Sequence, residues 1–347
     1  NSGTLARLIL GLLVKSKFSI RLIGDKSLSK RDFSRVIKPL RLFGVNIKSK
    51  KNSLPIDILG TDYLRPIFYN EEIGSAQVKS CIIFCALNTP GITLINAKKS
   101  RDHTEKLLKS LNYPIKVNRT KNVDKISITG LSQFKSFKHI IPGDISSAAF
   151  FIVLTILSNN SEMIIKNVNI NDSRIGIIKI LNKMGTTIKF RNKKIYKGEN
   201  IADIFIKSSK KLIGINCPSY LNSSAIDEFL IIFLVAAKAK GISTFKNLGE
   251  LNKKESPRLD IALKFFKMIG IKVKRKKNNI KIFGNPKLEI TKTIHIENYL
   301  KDHRVFMMAC IAALSFGGNW KINDKDSINT SFPFFLDILK SLGAKIN

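Results

Sequence analysis

A chain of 347 residues exceeds one typical domain, so two is the natural division. Hydrophobic residues make up 44% of it, enough for sizeable cores and too many for a disordered chain. The formal net charge of +35 invites a nucleic-acid reading, but the lysines are spread along the chain in segments such as Lys48-Ser49-Lys50-Lys51 and Lys274-Arg275-Lys276-Lys277, so they read as solvated faces whose field favours anionic substrates.

In chain order, the sequence opens on Asn1-Ser2-Gly3-Thr4, a turn that runs straight into an apolar helix over residues 8–13. A Gly-Thr turn at a helix start can present backbone N–H groups to an anion, though an ordinary cap serves as well. Gly24-Asp25-Lys26-Ser27-Leu28-Ser29-Lys30-Arg31 is a turn rich in hydroxyls and cations, again of phosphate-binding type. Apolar residues at i, i+3, i+4, i+7 then predict an amphipathic helix that ends at Gly44, followed by two strands joined through a lysine-rich turn. Ser75-Ala76-Gln77-Val78-Lys79-Ser80 starts a further helix over 78–87, where hydroxyls and free N–H groups coincide. Ser100-Arg101-Asp102-His103-Thr104-Glu105 is a dense polar stretch before another helix.

The helix–glycine–hairpin unit recurs at a period of roughly 70 to 85 residues, with Gly185 and Gly270 as the helix-ending glycines. Weaker copies run over 105–130, with Tyr113-Pro114 in place of the glycine, and over 336–346. At least five such modules are expected, with apolar helices over 78–87 and 147–157 between them. The longest apolar runs, 148–157 and 229–237, are about half the ~20 residues of a membrane span and read as buried helices. Cys81, Cys85, Cys217 and Cys310 lack metal-ligand spacing; free, buried thiols suit a reducing cytosol.

In the second half, Asp227-Glu228 is expected inside an otherwise apolar helix over 226–237. Acids so near a core are costly unless paired, functional or set against a helix dipole. Lys254-Glu255-Ser256-Pro257-Arg258 and Asp302-His303-Arg304 add cations with carboxylates beside them. Each alone could be a surface salt bridge. Together they suit substrates that carry phosphates and a carboxylate, with acids left to move protons.

These stretches, with Pro142-Gly143-Asp144 and Thr330-Ser331-Phe332-Pro333, fall in the order in which they occur in 5-enolpyruvylshikimate-3-phosphate synthases, and the chain resembles the bacterial class II group along its whole length. The resemblance implies a mixed α/β (α+β) fold of two similar domains, each of helix–hairpin modules around buried parallel helices. Residues 1–142 would form a substrate-binding domain and 143–347 a second enolpyruvyl transferase domain. The implied reaction moves the enolpyruvyl group of phosphoenolpyruvate to the 5-hydroxyl of shikimate 3-phosphate and releases phosphate, without metal or organic cofactor.

By motif, Gly3, Arg31, Gln77, Arg258 and Arg304 would hold phosphoenolpyruvate. Ser75, Ala76, Gln77, Ser100, Asp227 and Lys254 would hold shikimate 3-phosphate. Asp227 would accept the 5-hydroxyl proton and Glu255 would exchange protons at the methylene carbon. Gly3 is the small residue associated with sensitivity to glyphosate. Pro257 stands where Asp is usual, and Asp326 where many members carry a lysine. The family's lysine-serine-arginine motif and first module would precede Asn1, so these residues alone are expected to bind weakly and turn over little. A cytoplasmic monomer is expected, with no nucleic-acid or membrane partner. The alternatives are an enolpyruvyl transferase acting on a nucleotide sugar and an inactive basic nucleic-acid-binding relative. The former uses a reactive cysteine in a basic loop, and none of the four cysteines lies in one.

Overall fold

The computed structural model describes residues 2–133 and 135–346. The chain divides into two units: Asn1–Ile140 with Tyr196–Glu199, and Ile141–Ile195 with Asn200–Asn347.

The first unit runs α1 (Gly3–Leu12), β1 (Ser19–Leu22), α2 (Ser34–Leu42), β2 (Asn46–Ser49), β3 (Ile56–Leu59), β4 (Phe68–Asn70), α3 (Ala76–Leu87), β5 (Ile92–Lys98), α4 (His103–Ser110), β6 (Ile115–Arg119) and β7 (Val123–Thr129). One antiparallel sheet has the order β1-β3-β2 and a second the order β4-β5-β7-β6, in which only β4 and β5 are parallel. Burial alternates along β5 and β7, so Ile95, Ala97, Ile126 and Ile128 face the core. That core is built on α1 and α3, where Ala6 and Leu10 join Cys81, Ile82 and Cys85. Gly11 lets the two helices approach: a Cβ there would stand 2.2 Å from the Cys81 carbonyl oxygen.

The second unit runs α5 (Ile145–Leu157), β8 (Glu162–Asn169), α6 (Gly176–Lys183), β9 (Thr187–Tyr196), β10 (Glu199–Lys207), α7 (Asn222–Ala225), α8 (Phe229–Lys238), β11 (Gly241–Phe245), α9 (Arg258–Met268), β12 (Val273–Lys276), β13 (Asn279–Gly284), β14 (Thr293–Ile296), α10 (His303–Phe316), β15 (Asn319–Ile322) and α11 (Phe335–Ser341). Its sheets are β8-β10-β9, β11-β13-β12 and the parallel pair β14-β15. Helices α5, α8 and α10 are buried nearly all round, as their unbroken apolar sequences require. Both apolar runs are thus core helices, and no described helix is long and apolar enough to cross a membrane.

The repeat has a common physical stop. After α2, α6 and α9 come Gly44, Gly185 and Gly270, each with positive φ. The next amide then reaches back five residues: Val45 to the Leu40 carbonyl, Thr186 to Leu181 and Ile271 to Phe266. After α4 this task falls to Asn112 at φ 56°, with Tyr113 N–H bonded to the Leu108 carbonyl, and not to the Tyr113-Pro114 pair. Asparagine tolerates the left-handed region, which a search for glycine overlooks. The copy at 336–346 keeps α11 and Gly343 at φ 93° but has no hairpin among the described residues. The first helix also begins earlier than expected, at Gly3, because Ser2 caps it by accepting from Leu5 N–H at 3.2 Å.

Phe233 of α8 lies between Phe229, Phe245 and Phe266, at ring-centre distances of 5.8, 5.0 and 6.4 Å, and is wholly buried. Phe233→Ala should lower stability by about 3–5 kcal/mol. Urea unfolding should show an earlier midpoint.

Candidate active site

In the first unit the predicted anion ligands gather around the start of α1. Gly3 is buried, and a Cβ on it would lie 2.8 Å from Arg31 Nη1 and 3.1 Å from Arg7 Nη1. Two guanidinium groups therefore approach one stretch of backbone. Arg7 Nη1 donates to Gln77 Oε1 at 2.9 Å and to the Gly3 carbonyl at 3.3 Å. Gln77 Nε2 in turn donates to Thr4 Oγ1 at 2.8 Å. Arg7 also stacks over Phe33, 5.0 Å from the ring centre. Burial and then the neighbouring Arg31 charge push the Arg7 guanidinium below its ordinary value. Like charges held this close are stabilised by an anion between them. Gly3, Arg31 and Gln77 are thus brought together, and Arg7 and Thr4 join them.

Ser75 caps α3, its Oγ accepting from Val78 N–H at 3.4 Å, and Ala76 and Gln77 follow in the first turn. Ser100 precedes α4, and its buried hydroxyl has no hydrogen-bond partner among the described residues. The two helices are tied near these ends. Ser80 and Thr104 share a hydroxyl hydrogen bond of 2.7 Å, and buried Lys79 and Glu105 pair at 2.6 Å.

In the second unit Asp227, Lys254, Glu255, Arg258 and Arg304 form one network. Asp227 and Glu228 do not lie inside a helix. They occupy the turn between α7 and α8, and Glu228 is the residue before α8. Hydropathy extends α8 back over the turn because Ile226 precedes the acid pair and the apolar run from Phe229 follows it. Lys254 Nζ stands 3.0 Å from Asp227 Oδ1, and Arg258 Nη1 stands 3.8 Å from it. Arg258, 1% exposed, donates through Nε to Asp302 Oδ2 at 2.9 Å and through Nη2 to Glu255 Oε2 at 2.6 Å. Ser256 Oγ donates to the same Asp302 oxygen at 2.7 Å. Arg304 donates to the Asp227 carbonyl at 3.0 Å, and its amide donates to Asp302 Oδ1 at 2.9 Å.

A second chain of contacts adjoins this one. Asp144 caps α5 through Ser147 N–H at 3.0 Å and accepts from Arg174 at 2.8 Å. Arg174 also donates to Ser146 Oγ at 2.7 Å, and Ser146 donates to buried Glu228. Burial first, and then the Asp227 charge, push the Glu228 carboxyl up. Burial opposes ionisation of Asp302 and Asp144 as well, but arginines outweigh it. Arg258 holds Asp302 below its ordinary value, and Arg174 with Arg304 holds Asp144 there.

Sequence reasoning names the motifs of Asp302 and Asp144 without assigning these residues to the site, and it assigns no role to Arg7. Arg174, in Asn171-Asp172-Ser173-Arg174, carried no signal at all. Only the fold brings its guanidinium to Asp144.

The first unit clusters guanidiniums and the second sets carboxylates among cations, residue types suited to anion binding and proton transfer. The family model described as EPSP synthase (3-phosphoshikimate 1-carboxyvinyltransferase) matches residues 1–339. The chain is 40% identical over 348 residues to the 3-phosphoshikimate 1-carboxyvinyltransferase of Ruthia magnifica, covering 100% of this chain and 78% of that protein. It is 38% identical to the same enzyme of Zymomonas mobilis, covering 99% and 77%. Among solved structures, EPSP synthase from Acinetobacter baumannii superposes with a TM-score of 0.88 at 37% identity, covering 100% of this chain and 78% of that one. The enolpyruvyl transferase NikO from Streptomyces tendae has a TM-score of 0.71 at 13% identity over 98% and 76%, a likeness of fold alone. The chain belongs to the EPSP synthase family.

Because Asp302 titrates below its ordinary 3.8, its contribution to stability is full above that value and is lost as pH falls through the folded one. Arg258→Met removes the balancing cation and strands a buried carboxylate, at a cost of about 3–5 kcal/mol near neutrality. Burial then pushes Asp302 up, so the variant regains a proton first. The stability gap to the wild type, measured by urea unfolding, should be widest near neutrality and shrink towards about pH 4.

Proposed function

We propose a division of labour among these residues for the reaction of the family. That reaction, a step of the shikimate pathway, transfers the enolpyruvyl group of phosphoenolpyruvate to the 5-hydroxyl of shikimate 3-phosphate and releases phosphate. Gly3, Arg31 and Gln77, with Arg7 and Thr4 beside the first three, bind phosphoenolpyruvate, and so do Arg258 and Arg304. Ser75, Ala76, Gln77 and Ser100 take shikimate 3-phosphate. Asp227 and Lys254 hold its reacting hydroxyl.

The observation that carries this reading is the setting of Asp227. Its carboxylate sits 3.0 Å from Lys254 and 3.8 Å from Arg258, while its carbonyl accepts from Arg304 at 3.0 Å. An acid whose carboxylate faces two cations and whose backbone is held by a third is restrained in its geometry, as a proton acceptor must be. Glu255 is anchored differently, through Arg258 at 2.6 Å, and its side chain is 34% exposed. It is the acid placed to exchange a proton with the methylene carbon. C3 of phosphoenolpyruvate gains a proton while the 5-hydroxyl loses one and attacks C2. The tetrahedral adduct then loses phosphate and a C3 proton. Arg258, whose Nε and Nη2 are held by carboxylates, serves phosphoenolpyruvate mainly through Nη1 and by orienting Glu255.

The protein is proposed to work as a cytoplasmic monomer whose partners are these two small anions, with neither nucleic acid nor membrane. Four buried, unbridged cysteines support a reducing compartment. Their thiols are pushed up by burial, Cys81 and Cys310 to about 12 and Cys217 to about 11, so none is poised as the nucleophile of a nucleotide-sugar transferase.

Asp227→Ala should lower turnover, followed by phosphate release, by about 10²–10⁴-fold. A variant within tenfold of an active parent would sink the assignment. Glyphosate should compete with phosphoenolpyruvate. Gly3→Ala places a methyl group against Arg31 and should raise the glyphosate inhibition constant about tenfold, read from the slopes of competition plots.

A further inference from the structure

The first unit holds a buried carboxylate to which the reaction assigns no task. Glu71, 5% exposed, directly follows β4. Its backbone N–H donates to the Asn96 carbonyl at 2.9 Å, continuing the parallel ladder of β4 and β5. There the chain leaves the sheet to reach α3, while β5 runs on to Lys98. The side chain takes over from the departed backbone. Glu71 Oε2 accepts from Lys98 N–H at 3.1 Å, and Oε1 accepts from Ser75 N–H at 2.8 Å.

One carboxylate thus joins the amide of Ser75 to an amide two residues before Ser100. The same two loops meet at a second point. A Cβ on Gly74 would lie 2.8 Å from the Lys99 carbonyl oxygen. Arg35 closes the outer side by donating to the Ile73 carbonyl. Burial pushes the Glu71 carboxyl up to about 7, against the pull of the two amides and of Lys79 and Arg35. A short connection between a strand and a helix has no need of so costly a group. The cost makes sense if the geometry of both loops matters.

We infer that Glu71 is a positioning residue for shikimate 3-phosphate, fixing the Ser75 and Ser100 loops in one arrangement. The inference rests on the assignment of those two serines to that substrate. Only a carboxylate can accept from both amides with both oxygens. A glutamine offers one acceptor and one donor, so it releases one loop.

The test measures shikimate 3-phosphate affinity by calorimetry on the full chain, together with KM for phosphoenolpyruvate and kcat. Glu71→Gln should weaken shikimate 3-phosphate about tenfold and leave KM for phosphoenolpyruvate and kcat within about twofold. Gly74→Ala wedges the same loops apart without touching the carboxylate, and should show the same selective loss. Ser75→Ala tests the underlying assignment. If it leaves affinity unchanged, that assignment fails and the inference with it. If Ser75→Ala weakens binding and Glu71→Gln does not, the inference alone is overturned. Equal loss for both substrates in Glu71→Gln would mark a general structural role and overturn it too. Should Glu71→Gln fail to fold, unchanged shikimate 3-phosphate affinity in Gly74→Ala overturns it.

Discussion

The second unit depends on one buried guanidinium. Arg258 is hydrogen-bonded to Asp302 and Glu255 and lies 3.8 Å from Asp227, and no neutral side chain could hold all three acids. Removing a charge from water costs several kcal/mol, and the mutual attraction offsets that only when the geometry is good. Planar, forked donors supply it. Asp302 has a second task, because its other oxygen accepts from the amide of Arg304 at the start of α10. The position of Arg304, and through it the carbonyl of Asp227, follows from Arg258. Helices α9 and α10 are thereby registered by charge as well as by apolar packing.

The first unit solves the opposite problem. Arg7 and Arg31 converge on the backbone of Gly3, and glycine is what makes room for them. Arg7 is held by the Gly3 and Asp32 carbonyls, an amide oxygen and the face of Phe33; the Asp32 charge acts on it, but among the described residues no acid side chain bonds it. Such neutral partners orient a guanidinium without neutralising it. On the proposed assignment that charge meets the phosphate or carboxylate of the substrate already aligned. Arginine is thus oriented mainly by neutral groups in the first unit and set among acids in the second.

Much of this was legible in the sequence. In the copies ending at Gly44, Gly185 and Gly270 the amphipathic helix, the glycine and the strands after it appear where periodicity places them, since each reports a local rule of burial or backbone freedom, whereas the copy over 336–346 lacks its hairpin among the described residues. The misreadings were also local. Asn112 was passed over because a left-handed cap was sought as glycine or proline. Asp227 and Glu228 read as part of a helix because apolar Ile226 stands before them and the apolar run of α8 after them. The partners of the predicted ligands were the least legible. Asp302 lies 44 residues from Arg258, and Arg174 lies 30 from Asp144. No period or spacing encodes contacts of that range. Glu71 is harder still, because its bonds run to backbone amides that any sequence possesses.

The net charge of +35 shows the same distinction between composition and placement. The chain has 25 acidic residues, and five of them, Asp144, Asp227, Glu228, Glu255 and Asp302, belong to one network with Arg174, Lys254, Arg258 and Arg304. A fifth of the acids thus stands in one place, nearly matched by its cations. Were bulk charge the means of recognising anionic substrates, acids would be least welcome there. On the proposed assignment their concentration serves proton transfer, which requires carboxylates held among cations strong enough to offset burial. The lysines elsewhere on the surface can draw anions towards the protein, and screening limits their reach to about 8–10 Å. Around Arg258, which is 1% exposed, the acids lie within a few ångströms, and there each charge counts for several times its value in water.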